Sequence, residues 1–258
     1  MDGYNTDFAA FYDLVLYGEN SHEADGQEIA FMDEIFAGAD RRINTVLDAG
    51  CGTGRFLVPL ARCGYQMTGI DKSPRMIEQT AEKLKREGLQ ADLISMGLEE
   101  IKSRELFDAV ICVDSVLCYL IDRKKIQGCC TKMAQALKKG GVFVMETWNI
   151  FANARLLNRE NAYINKDGER RADIHEKNTF DEKTGVLTIM LDVKAKYQEK
   201  IYNLHHSESL RIFGFDEMKE ILESSGLKDI KMYSGYDFSE ASISTGDSMI
   251  YTGVKKSV

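Results

Sequence analysis

Between residues 45 and 146 short runs of mostly apolar residues alternate with longer stretches in which apolar side chains recur every three or four positions. The short runs have the length and composition of strands covered on both faces, and the longer ones the period of helices with one buried face. Strands are predicted at 45–49, 66–70, 91–95, 107–113 and 142–146, separated by helices that run to residue 61, start at 73–74 and cover 122–138. Ser73 stands at an N-cap position with Pro74 at the first helical position, and Gly140-Gly141 reads as a helix stop. Five strands spaced by helices predict an α/β fold with a doubly wound parallel sheet. Two further helical patterns, 8–17 and 23–36, precede the first strand.

From residue 149 the rhythm changes. Residues 170–180, 186–197 and 201–213 read as strands with no helix between them, which predicts an antiparallel insert. The α/β pattern resumes with a helix at 216–224, a stop at Gly226, and strands at 229–234 and 248–253 joined by a Ser/Gly-rich loop. The chain therefore divides into an N-terminal helical cover (1–40), a sheet domain (41–148 and 215–258) and an antiparallel β insert (149–214). No repeat, low-complexity tract or linker interrupts it.

Composition narrows the class. With 258 residues, 44% hydrophobic and 29% charged, the chain buries a full core as one domain with an elaboration. No apolar run approaches the roughly 18 residues that span a bilayer, and Met1-Asp2-Gly3 opens neither a signal nor a transit peptide, so a cytoplasmic protein without a membrane partner is expected. The six cysteines form no C-x-x-C pair and several fall in apolar runs, as packed, reduced thiols do; no metal site is expected. The net charge is −8 and no long Lys/Arg cluster stands out, only short runs such as Arg41-Arg42 and Lys255-Lys256, so nucleic acid is not an expected partner.

The chemistry concentrates in Val46-Leu47-Asp48-Ala49-Gly50-Cys51-Gly52-Thr53-Gly54. A buried strand turning through alternate glycines into a helix brings bare N–H groups against a ligand. The dinucleotide pattern G-x-G-x-x-G needs glycine where Arg55 stands, whereas this spacing is G-x-G-x-G. Asp71, seventeen residues beyond Gly54, ends the second strand, where a carboxylate can accept both hydroxyls of a ribose. That acid fits a nicotinamide dinucleotide as well as an adenosyl cofactor.

The glycine turn preceded by Asp48 resembles motif I of the class I S-adenosylmethionine (SAM)-dependent methyltransferases. Val113-Asp114-Ser115-Val116-Leu117-Cys118-Tyr119 resembles their motif IV, and Leu137-Lys138-Lys139-Gly140-Gly141 their L-x-P-G-G feature with Lys139 replacing proline. The resemblance implies a Rossmann-like, doubly wound seven-stranded sheet. It implies SAM binding, with S-adenosylhomocysteine (SAH) as product, through Asp48, Gly50, Cys51, Gly52, Gly54, Asp71, Lys72, Met76, Gly97, Leu98, Val113, Asp114 and Tyr12. Met96-Gly97-Leu98 departs from the family pattern: it stands where an acid usually meets the adenine amine, and Glu99 comes slightly late.

Residues 11–17 and the insert resemble small-molecule N-methyltransferases of amino sugars and, more loosely, of glycine. That resemblance implies that the N-terminal helix closes over the cofactor with Tyr12 and Tyr17, and that the insert (149–214) forms a substrate face or a dimer contact. Candidate catalytic residues are Tyr17, Asp114 and His206; candidate substrate contacts are Tyr17, Ser115, Trp148, His205 and Arg211, with Tyr163 also on the insert. Strand alternation sends His205 and His206 to opposite faces. Glu146 is a further candidate base. The expected activity is methyl transfer to a small molecule, an amine, by in-line displacement, in a possible homodimer. Nucleobase amines and cytosine C5 are disfavoured, since no proline follows Asp114 and no Pro-Cys is present. A non-catalytic SAM-binding protein and an NAD-linked dehydrogenase are the alternatives.

Overall fold

The computed structural model of the chain describes residues 6–18, 23–149, 157–238, 246 and 248–256. The start of the insert (150–156) and most of the Ser/Gly-rich loop (239–245 and 247) lie outside the described residues. Helices α1 (Thr6–Leu16) and α2 (Gly26–Ala37) precede β1 (Thr45–Ala49). There follow α3 (Leu57–Arg62), β2 (Gln66–Asp71), α4 (Pro74–Glu87), β3 (Asp92–Ser95), β4 (Phe107–Cys112), α5 (Arg123–Ala136) and β5 (Leu137–Trp148). The insert contributes β6 (Glu160–Asp167), β7 (Arg170–Asp181), β8 (Val186–Tyr197) and β9 (Lys200–Arg211), before α6 (Phe215–Ser224), β10 (Leu227–Ser234) and β11 (Ser248–Lys255).

The main sheet has seven strands in the order β10-β11-β5-β4-β1-β2-β3, with β11 antiparallel to both neighbours and the pairings among β1 to β5 parallel. All six residues of β4 are buried, as a central strand covered by helices requires. Because β2 and β4 flank β1, the chain leaves β1 in one direction and later crosses to the other side. That reversal opens a crevice at the carboxyl ends of β1 and β4.

Local signals account for most boundaries. Asp25 and Glu28 form a capping box at α2, Asp122 accepts from the Lys125 amide at α5, and Gly88 ends α4 with φ of +66°. Ser73 occupies the N-cap position of α4, but its side chain makes no capping bond. The stop expected at Gly140-Gly141 is earlier: α5 ends at Ala136, and Leu137 already pairs with Phe107. The chain then hugs β4 so closely that a Cβ at Gly141 would stand 2.9 Å from the Asp108 carbonyl oxygen.

The insert is a four-stranded antiparallel sheet, β6-β7-β8-β9, one strand more than the pattern predicts. The extra strand, β6, alternates only between exposed and half-buried residues, so its hydrophobic signal is weak. The inner face of the insert buries Leu187, Ile189, Leu191, Leu204 and Leu210 in one core with Phe8, Phe11, Leu14 and Val15 of α1. The N-terminal cover is thus part of the hydrophobic core, with Leu14 and Val15 wholly buried. All six cysteines are free, five of them buried.

Candidate functional site

A cleft lies at the reversal point, lined from the turns after β1, β2, β3 and β4 and by Tyr12 and Tyr17. Its floor is the turn after β1. Gly50 has φ of +94°, and a Cβ there would lie 2.5 Å from Val116, so this position is closed to side chains by packing. Gly52 differs: it borders the cleft and has no atom within 4 Å of its would-be Cβ, which leaves bare backbone facing open space. Gly54 packs on Thr80 of α4 and takes no place in the cleft wall.

Asp71, at the end of β2, accepts the Gly52 N–H at 3.1 Å and the Ser73 N–H at 2.8 Å. Each oxygen keeps further lone-pair capacity toward the cleft. Burial raises its carboxyl above the usual range, and the two backbone bonds oppose that rise. Asp48, 1% exposed, has an Oδ1 with no hydrogen-bond partner, and burial pushes its carboxyl well above the ordinary range. The charges of Asp114 and Asp71 add to that shift.

Asp114 follows β4 and borders the cleft, with φ of +52°; Ser115 shares this left-handed conformation at +57°. Two consecutive non-glycine residues held there mark a strained corner of the kind that clusters at functional sites. The Asp114 N–H donates to Glu146 Oε2 at 2.8 Å, and the Tyr236 hydroxyl donates to the same oxygen at 2.8 Å. Burial, with Glu146 adding and Arg55 opposing, moves the Asp114 carboxyl up to about 7. Arg55 lies between Glu28, at 2.7 Å, and Asp114, at 3.4 Å, with its guanidinium over the Tyr17 and Phe56 rings.

The far end of the cleft is formed by Met76, Met96, Gly97 and Leu98. Glu99, which the spacing puts slightly late, also borders the cleft, its carboxylate 2.6 Å from the would-be Cβ of Gly97. The turn Leu98–Glu100 swings it back.

Of the sequence candidates, Tyr12, Tyr17, Gly50, Cys51, Gly52, Asp71, Lys72, Met76, Gly97, Leu98 and Asp114 meet at this cleft. Asp48 stands behind it, and Val113 and Ser115 are buried beside it. Trp148 ends β5, paired with Ser248, away from the cleft wall. Arg211 is tied to Glu217 at 2.8 Å and stacks on Phe213, outside the cleft. Tyr163 donates to Glu176 at 2.9 Å on the insert. His205 is exposed and paired with Asp192 at 2.5 Å, while His206 is buried, stacked on Phe8 at 4.1 Å and bonded to Glu208 at 3.1 Å. Thr53, Arg55, Val116, Tyr119 and Leu120 also border the cleft, without having been singled out as contacts by the sequence. Thr53 and Tyr119 lie inside the two runs that resemble family motifs and Arg55 directly follows the first, so each had a signal.

A family profile described as "Methyltransferase domain" matches residues 46–141. The ubiquinone biosynthesis O-methyltransferase of Rickettsia canadensis is 31% identical over 113 residues, 43% of this chain and 46% of that protein. A putative methyltransferase of Geobacillus sp. is 23% identical over 144 residues, 56% of this chain and 57% of that protein. The matched stretch therefore spans about half the length of these curated relatives. Whole-chain likeness is found among solved structures. A SAM-dependent methyltransferase from Clostridium acetobutylicum superposes with a TM-score of 0.83 at 18% identity, covering 97% of this chain and 98% of that one. SAM-bound CalS10, an amino pentose methyltransferase from Micromonospora echinaspora, superposes at 0.75 and 19% identity, covering 98% of both chains. Residues 46–141 thus match a methyltransferase domain, and the whole chain has the fold of SAM-dependent methyltransferases of known structure.

Proposed function

We propose that the protein binds SAM in this cleft and transfers its methyl group to a small-molecule acceptor, an amine. The observation that carries the reading is the set of carboxylates around the bare Gly52 backbone: Asp71, Glu99 and Asp114 on the wall, Asp48 and Glu146 behind it. SAM supplies an electrophilic methyl on a cationic sulfonium. Asp71 suits the ribose hydroxyls, and Glu99 with the Gly97–Leu98 backbone suits the adenine amine. Asp114 suits the methionine ammonium, and the orphan oxygen of Asp48 leaves an acceptor for a further donor.

The charge balance separates this reading from a dinucleotide. A pyrophosphate brings two negative charges to a wall that already holds Asp71, Glu99 and Asp114, while the cations bordering the cleft are Lys72 and an Arg55 already held by Glu28. SAM, with one net positive charge, meets attraction instead. In-line displacement asks the protein for alignment and exclusion of water, and α1, which supplies Tyr12, together with Tyr17 just beyond it, walls the cleft accordingly.

An amine acceptor is favoured by the likeness to an amino pentose methyltransferase over the full chain, whereas the O-methyltransferase relatives match over the domain alone. A homodimer through the outer face of the insert, where Ile164, Met190 and Ile201 are exposed, belongs to the same reading. The test has two parts. SAH at about 100 times its dissociation constant should add about 2.7 kcal/mol of stability. SAM incubated with a panel of aliphatic amines and amino sugars should then yield SAH and a product heavier by one methyl, by mass spectrometry. SAH binding without turnover would favour a non-catalytic SAM-binding protein, and stabilisation by NADH instead of SAH would overturn the reading.

A further inference from the structure

Tyr119 borders the cleft at the end of the short turn Val116–Tyr119, and its hydroxyl donates to Glu208 Oε2 at 2.8 Å. The same oxygen lies 3.1 Å from His206 Nε2. Glu208 and His206 are two residues apart on β9, so they share one face of the strand, the face turned toward α1. The His206 side chain is 4% exposed and that of Glu208 12%; the imidazole is fixed by near-parallel stacking on Phe8. A tyrosine bordering the cleft, a carboxylate bonded to its hydroxyl and an imidazole that orients the carboxylate repeat the arrangement by which side chains take a proton from a reacting group.

Accepting the methyltransferase reading above, we propose that Tyr119, Glu208 and His206 are the proton-removing arm of the acceptor site, and that the acceptor is an amine basic enough to arrive as an ammonium. An ammonium has no lone pair with which to attack. Its N–H proton passes to the Tyr119 oxygen as the Tyr119 proton moves to the Glu208 carboxylate. The freed nitrogen pair then bonds to the methyl carbon while the carbon–sulfur pair stays on sulfur, so the positive charge leaves sulfur and appears on the methylated nitrogen. His206 acts as a positioning residue, holding Glu208 toward Tyr119. The insert thereby supplies chemistry through Tyr119, and His206 takes part without reaching the cleft itself.

The test compares two acceptors in the full-length protein, benzylamine and O-benzylhydroxylamine, alongside the best amine of the panel. The first is an ammonium at neutral pH, and the second is already unprotonated. Tyr119→Phe and Glu208→Gln should lower kcat for benzylamine by about 100-fold, the scale of general-base catalysis, and His206→Gln by about tenfold. For O-benzylhydroxylamine the losses should stay at least ten times smaller, and SAH affinity, read by thermal shift on each variant, should change by less than about threefold. Equal losses on both acceptors would make the three residues structural and overturn the proposal. So would an active Glu208→Gln, or an Asp114→Asn that alone reproduces the basicity dependence. A wild-type protein that binds SAH but methylates no amine overturns the methyltransferase reading itself, which is a distinct result.

Discussion

Thr53, in the glycine turn, donates its hydroxyl to Asp13 of α1 at 2.6 Å, and the other Asp13 oxygen holds Lys83 of α4 at 2.7 Å. One carboxylate thus bolts the N-terminal helix to the floor of the cleft, with the Asp13 and Lys83 side chains only 15% and 10% exposed. A cover fastened in this way is held by packing and charge within the protein itself.

Asp13→Asn keeps an oxygen for Thr53 but leaves the Lys83 ammonium without its carboxylate. Breaking one partner of a nearly buried pair should cost about 3 kcal/mol of stability, measurable by denaturant unfolding. SAH affinity should fall as well, since the turn loses its tether. Removal of residues 1–18 should be worse, because Phe8, Phe11, Leu14 and Val15 leave the core with it.

Asp71→Ala should weaken SAH binding by about 1.5–3 kcal/mol through loss of charged hydrogen bonds, read by calorimetry. Glu99→Gln should cost about tenfold, and the cost should shrink for S-inosylhomocysteine, which lacks the adenine amine. Equal loss for both ligands would remove Glu99 from the adenine site.

Asp114 carries its proton to about pH 7 in the folded protein and loses it near 4 when unfolded. The folded state therefore binds more protons between these values, so this residue makes stability fall as pH rises from 4 to 7. Asp114→Asn should flatten that part of the stability profile. Because a cationic ligand favours the ionised carboxylate, SAM binding at pH 6.5 should release protons. Calorimetry in two buffers of different ionisation enthalpy checks this, and the release should vanish in Asp114→Asn.

Gly50→Ala and Gly52→Ala should fail in different ways. At Gly50 the new methyl meets Val116 at 2.5 Å on a φ of +94°, so the melting temperature should drop by an amount equivalent to about 2 kcal/mol or more. At Gly52 no protein atom obstructs it, and the stability loss should stay near 1 kcal/mol, the left-handed backbone cost. SAH binding should nevertheless be lost in Gly52→Ala, because the methyl enters the space left for the ligand. Thermal melts with and without SAH separate the two.

The strand and helix order from β1 to β5, the glycine turn and Asp71 were legible in the sequence because they rest on local rules. Periods of two and 3.6 residues, a proline at N1 and glycines at positive φ act within a few residues. The insert's strands β7, β8 and β9 showed themselves by alternation, while β6, with no buried residue, did not. What only the tertiary structure decided depends on contacts between distant positions. Glu208 meets Tyr119 across 89 residues, Thr53 meets Asp13 across 40, and Phe8 lies on His206. Strands β7 to β9 share a core with α1, so the N-terminal helix that borders the cleft is also a core element and His206 is a buried partner of Glu208. Trp148 ends β5 and Arg211 ends β9, where a pairing with Ser248 and an ion pair with Glu217 hold them away from the cleft. Periodicity assigns a side chain to a face of its own element, and only packing against other elements determines what that face meets.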